Sequence, residues 1–105
     1  MSTQVQTEEL VIFLTKDLSL SEEEAAGLQT DDQYRLQSQL ERLIAYLLDR
    51  DFNRLLNACY RMDIAESSLK LALNTDDPKA VPSEIASLII SRQIQKIVMR
   101  KKYDV

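Results

Sequence analysis

The sequence predicts an all-α protein, a compact bundle of four to six helices whose last helix is long and lies either at the centre of the bundle or at a dimer interface. Three observations carry this expectation. Glycine occurs only at position 27 and proline only at 78 and 82, so the residues that tight hairpins require are almost missing. Cap signals for helix starts recur along the chain. Between them, apolar residues repeat at helical rather than alternating spacing.

The elements follow in order. Thr7 with Glu8 and Glu9 opens a first helix of about ten residues, acids sitting at the positive end of its dipole and Leu10, Phe13, Leu14 and Leu18 sharing a face. Ser21 to Glu24 reads as a capping box, and Ala25-Ala26-Gly27-Leu28 as a Schellman stop with a left-handed Gly27 closed by Leu28, so the second helix is short. Thr30 to Gln33 reads as another capping box. It precedes Leu36, Leu40, Leu43, Ile44, Leu47 and Leu48, the most regular helical stripe in the chain. Asp49-Arg50-Asp51 turns or bends the chain before a second stripe of Phe52, Leu55, Leu56, Cys59 and Met62. Asp63 to Glu66 is a further capping box, starting a helix that buries Leu69, Ala72 and Leu73 and stops before Pro78. Pro82 suits a first helical position, and a helix from there to about Tyr103 spans roughly 30 Å. Its apolar residues fall on two sides, Ile85, Leu88 and Ile89 on one and Ile90, Ile94, Ile97 and Val98 on the other. A surface helix needs only one such stripe, hence the choice between a central helix and one packed on a second chain.

With 105 residues, 45% of them apolar and 29% charged, the chain is expected to form a single helical domain over 1–105. Residues 1–30 are expected as N-terminal helices added to a core bundle of 31–103. One cysteine makes no internal disulfide, which gives a cytoplasmic expectation. Met1 to Gln6 carry no base and the first apolar run, Leu10 to Leu14, is too short for a signal core or a membrane span. The net charge of −4 is unevenly spread: Lys16 is the only base among residues 1–34, whereas Arg92 to Tyr103 hold bases and no acid.

The chain has no histidine, the side chain most used for proton transfer and transition-metal binding, so catalysis, cofactors and metals are all expected to be absent. A di-iron bundle needs Glu-x-x-His pairs, and a phosphate loop needs more than one glycine. Asp49-x-Asp51-x-Asn53 mimics the start of a calcium loop, but Arg54 stands where glycine is required and Tyr60 where glutamate is required. Cys59, set between Leu56 and Met62, reads as a core thiol. What remains is basic: Arg50, Arg54 and Arg61 on one helix face, and Arg92, Lys96 and Arg100 along the last helix. These read as solvated surface, as a phosphate- or acid-binding patch, or as partners of the acidic first third. Arg92 interrupts an apolar helix and is expected to pair with a carboxylate, Asp63 first and Asp51 second, as a structural ion pair.

The segment Asp51-Phe-Asn-Arg-Leu-Leu-Asn-Ala-Cys-Tyr-Arg-Met-Asp63 and the later Ile85-Ala-Ser-Leu-Ile-Ile-Ser-Arg-Gln-Ile-Gln-Lys96, with Arg100 and Tyr103, resemble a group of short, uncharacterised bacterial all-helical proteins. The resemblance covers about residues 43–103 and implies no reaction, ligand or functional residue. The function expected from the residues is that of a non-catalytic interaction or scaffold domain, bound to a protein partner or to itself through Ile90, Ile94, Ile97 and Val98. The alternative is a nucleic-acid-associated accessory protein using the basic C-terminal helix, with Lys101 and Lys102 joining Arg92, Lys96 and Arg100 on phosphates.

Overall fold

The computed structural model describes residues 5–103. These form six α-helices, α1 (Thr7–Asp17), α2 (Glu22–Ala26), α3 (Gln33–Arg50), α4 (Phe52–Arg61), α5 (Glu66–Leu73) and α6 (Val81–Tyr103), with a 3₁₀ turn at Pro78–Ala80 and no strand among the described residues. Among the described residues no helix is long and apolar enough to cross a membrane.

The long last helix is central: α6 packs against α3, α5, α1 and the 3₁₀ turn, and α3 packs in turn on α4. Its two apolar sides therefore both face neighbours within the same chain. Ile85, Ala86, Ile89 and Ile97 are buried, and Ile90, Ile94 and Val98 pack partly buried against the same core. From α3 the core takes Leu36, Leu40, Ile44 and Leu47, and from α4 Leu55, Ala58 and Cys59. Phe52, expected on the α4 stripe, is in the first turn of that helix and stays 39% exposed.

The caps differ from those expected wherever a second interaction competes for the same residue. Gln6, not Thr7, precedes α1, and its N–H donates to Oε1 of Glu9 at 3.1 Å, while Thr7 is buried. The Ser21–Glu24 box forms as expected, with Glu24 N–H donating to Ser21 Oγ at 3.1 Å and Ser21 N–H to Glu24 Oε1 at 2.9 Å. Gly27 is right-handed, at φ −67°, so it is no Schellman residue. The left-handed caps are instead Ser19 (φ 52°) and Asp63 (φ 57°). After α1, Ser19 N–H donates to the Lys16 carbonyl and Leu20 N–H to that of Thr15; after α4, Asp63 N–H donates to Tyr60 and Ile64 N–H to Cys59. Both are Schellman bond pairs, built on a serine and an aspartate whose small polar side chains tolerate this backbone region better than branched ones.

Because Asp63 closes α4, it does not cap α5, whose start at Ala65 has no side-chain cap. Thr30 likewise accepts only the Asp32 N–H, and Asp32 caps α3 by accepting from Tyr34 at 2.9 Å. Asp51 alone makes the bend between α3 and α4: its N–H donates to the Leu47 carbonyl, and its Oδ1 accepts from Arg54 N–H at 3.3 Å. Asp77 starts the 3₁₀ turn, which runs into α6 at Val81 and leaves Pro82 as its second residue.

The first helix packs into the same core as the later helices, since Leu10, Leu14 and Leu18 are each 0% exposed, as is Leu40 of α3. Leu10→Ala and Leu40→Ala are therefore expected to cost comparable stability, about 2–5 kcal/mol each, in urea unfolding. A near-neutral Leu10→Ala would return residues 1–30 to the status of an appendage.

Candidate functional site

The basic residues of α4 do not form an open surface. Arg54 and Arg61 lie seven residues apart, two helical turns, and both reach the carbonyl end of α1. Arg54 Nε donates to the Leu18 carbonyl at 3.3 Å, and its Nη2 to the carbonyls of Leu18 and Ser19 at 3.2 and 3.0 Å. Arg61 donates to the Asp17 carbonyl from Nε at 3.2 Å and from Nη2 at 2.9 Å, with a longer contact to Ser19 Oγ. The last carbonyls of a helix lack partners within it and carry the negative end of its dipole, so two guanidinium groups there satisfy both demands.

Arg54 also binds Glu24 in a two-point pair, Nη2 to Oε1 at 2.7 Å and Nη1 to Oε2 at 3.0 Å. The two hydrogen bonds from Arg54, helped by the Ser21 N–H, hold the Glu24 carboxyl down at about 2, against an ordinary 4.5. Arg50 takes no part: it pairs only with the adjacent Asp49 at 3.1 Å, with both side chains more than two-thirds exposed. Such a pair contributes little.

On α6, the buried polar residue is Gln93, at 0% exposure, rather than Arg92. Its Nε2 donates to Asp17 Oδ2 at 2.8 Å, and Lys96 Nζ approaches the same oxygen at 3.3 Å. Arg92 donates from Nε to the Met62 carbonyl at 2.9 Å. Its expected pairing with Asp63 is a long one, 3.9 Å, to a side chain that is 79% exposed. The left-handed cap turns Asp63 outward, so the main partner of Arg92 is a backbone carbonyl and Asp51 is not involved. Further along, Lys101 pairs with Glu9 at 2.8 Å and the Arg100 guanidinium lies 5.9 Å from the centre of the Phe13 ring.

Of the hydrophobic residues singled out in the sequence, Ile97 is buried and Ile90, Ile94 and Val98 are packed against the core. The residue overlooked is Ile12, which is 67% exposed. The signal was present in the sequence, since Ile12 falls on the side of α1 opposite Leu10 and Leu14. It separates two grooves. One, of about 590 Å³, runs between α1 and the segment Ala25 to Asp31 and includes Glu8, Val11 and Thr15. The other, of about 340 Å³, lies between α1 and the end of α6 and includes Glu9, Phe13, Ile97, Arg100 and Lys101.

Among the described residues no group of His, Cys, Asp or Glu is placed to hold a metal ion. Burial pushes the Cys59 thiol up to about 11. No protein-family model, curated protein or solved structure matches the chain.

Three outcomes test this geometry. Arg54→Ala leaves Glu24 and the α1 carbonyls without their donor and is expected to cost about 2–4 kcal/mol in urea unfolding. In the wild type Glu24 is acidified by folding, so the unfolded chain takes up the proton first. Its contribution is complete above about pH 4.5 and is lost as pH falls towards about 2. That acid-sensitive contribution, on the order of 2 kcal/mol for a carboxyl still partly open to solvent, should shrink in Arg54→Ala to the part that Ser21 supplies, as unfolding at several pH values will measure. Cys59, in turn, should resist an aromatic disulfide reagent at pH 8 in the native protein and react fully in urea.

Proposed function

We propose that this chain is a non-catalytic protein–protein interaction domain that associates with itself, the last helix contributing through its C-terminal turns rather than through its apolar sides. The observation that carries this reading is an inversion of roles. Arg54, Arg61, Arg92, Lys96 and Lys101 are turned onto the chain's own backbone and carboxylates, while large apolar side chains stand outward on regular helices, Ile12, Leu71 and Met99 each more than half exposed. Scattered apolar residues are ordinary on any surface, but Ile12 adjoins two grooves and offers a continuous place to pack.

The same inversion weighs against the nucleic-acid reading. Lys96 and Lys101 face Asp17 and Glu9, Arg54 faces Glu24, and Arg61 and Arg92 bind backbone carbonyls, which leaves Arg100 and Lys102 of the basic last helix for phosphates.

Equilibrium sedimentation is expected to show the mass rising from monomer toward dimer across the micromolar range. A monomer at several hundred micromolar would overturn self-association. Anisotropy titration with a DNA or RNA duplex should show no complex at physiological salt. A complex that weakens steeply between about 50 and 200 mM salt would put the nucleic-acid reading in its place.

A further inference from the structure

The face of α1 around Ile12 has two flanks of opposite sign. In the groove toward Ala25 stand the carboxylates of Glu8 and Asp31; in the groove toward the end of α6 stand Arg100 and Lys101 with the one carboxylate of Glu9, which Lys101 neutralises, so that flank is net positive. Among the described residues, Glu8, Asp31 and Arg100 belong to no ion pair. The flanks overlap along α1 at the level of Glu8 and Glu9, the basic one running about a turn further. Lys101 is held at 2.8 Å by Glu9, the neighbour of Glu8, and Arg100 lies over Phe13, one residue beyond Ile12.

We infer that a second copy of this chain docks on this face, with the two α1 helices parallel across a two-fold axis that runs along them; this rests on the self-association proposed above. An interface between identical copies must complement itself. A two-fold axis parallel to α1 preserves height along the helix and exchanges left for right, so the acidic flank of one copy meets the basic flank of the other at the same level. A two-fold axis crossing α1 at right angles would set acid against acid and base against base. The parallel arrangement brings the Ile12 side chains together at the centre, where each is removed from water beside the partner's grooves. Opposed charges across a rim mainly select partner and orientation, while the apolar centre supplies attraction.

Sedimentation velocity on the full chain tests this with substitutions at exposed positions, each protein checked first for wild-type helicity and melting. Ile12→Glu is expected to be monomeric at concentrations where the wild type is dimeric. Glu8→Lys with Asp31→Lys makes both flanks basic, and Arg100→Glu turns the other flank acidic. Each of these proteins alone should dimerise at least tenfold more weakly than wild type, and an equimolar mixture of the two should recover dimers. A wild type that stays monomeric would overturn this inference together with the reading beneath it. A wild-type dimer indifferent to Ile12→Glu would overturn this face alone, leaving self-association through another. Loss of dimer in Ile12→Glu without recovery in the charge-exchanged mixture would overturn the parallel arrangement.

Discussion

The fold depends on two arginines of one helix gripping the open end of another. The carbonyls of Asp17, Leu18 and Ser19 point out of α1 with no helical partner, and Arg54 and Arg61 supply donors to all three from residues 35–44 positions away. Ordinary hydrophobic packing would bring α1 near the bundle through Leu10, Leu14 and Leu18, yet burial has no direction and does not choose where a helix ends. Directional bonds do. The left-handed backbone at Ser19 turns its carbonyl into reach of Arg54, and the chain then doubles back so that Glu24 of α2 closes on the same guanidinium. One side chain thus ties together a helix end, a turn and a second helix.

A second polar contact fixes the same region from the other side. Asp17 receives Gln93 from the core-facing side of α6 and Lys96 one turn further along. A buried amide contributes little net stability, because it exchanges water for a single partner and leaves its Oε1 without one in the protein. What it contributes is rotational setting: α6 has apolar residues on several sides and can bury more than one of them, whereas only one rotation presents Gln93 to Asp17. The acidic first third and the basic last helix, which look in sequence like two ends free to bind partners, are joined at two points, Asp17 to Lys96 and Glu9 to Lys101.

How much of this was legible in the chain depends on whether the signal was local. The α3 stripe from Leu36 to Leu47 was plain because a period of 3.6 needs no knowledge of the rest of the fold. The helix ends were less so. Gly27 suggested a left-handed stop because glycine adopts that backbone without strain, but the left-handed positions went to Ser19 and Asp63, where tertiary contacts sit on the turns. Asp63 could cap the next helix or close the previous one, and a linear reading cannot rank the two. Arg92 drew attention as a charge within an apolar run, yet its long side chain carries the guanidinium out to the Met62 carbonyl, and the shorter Gln93 beside it is the group fully enclosed. Arginines pairing across 30 or more residues leave no periodic trace. Ile12 was legible and passed over, its meaning being set by what lies on either side of α1.

These internal commitments bear on what the molecule presents outward. A helix face used for recognition loses less entropy on binding when it is already held in place, and short exposed helices near a chain start are ordinarily frayed. Here α1 is fixed at its carbonyl end by Arg54 and Arg61, near its start by the Glu9–Lys101 pair, and along its inner side by Leu10, Leu14 and Leu18. Its outer side is thereby a rigid ridge rather than a tethered one. The arginines that a binding-site reading would have sent to phosphate or to an acidic partner act one step earlier: they stiffen the element that carries Ile12, whose outer face is the contact surface proposed.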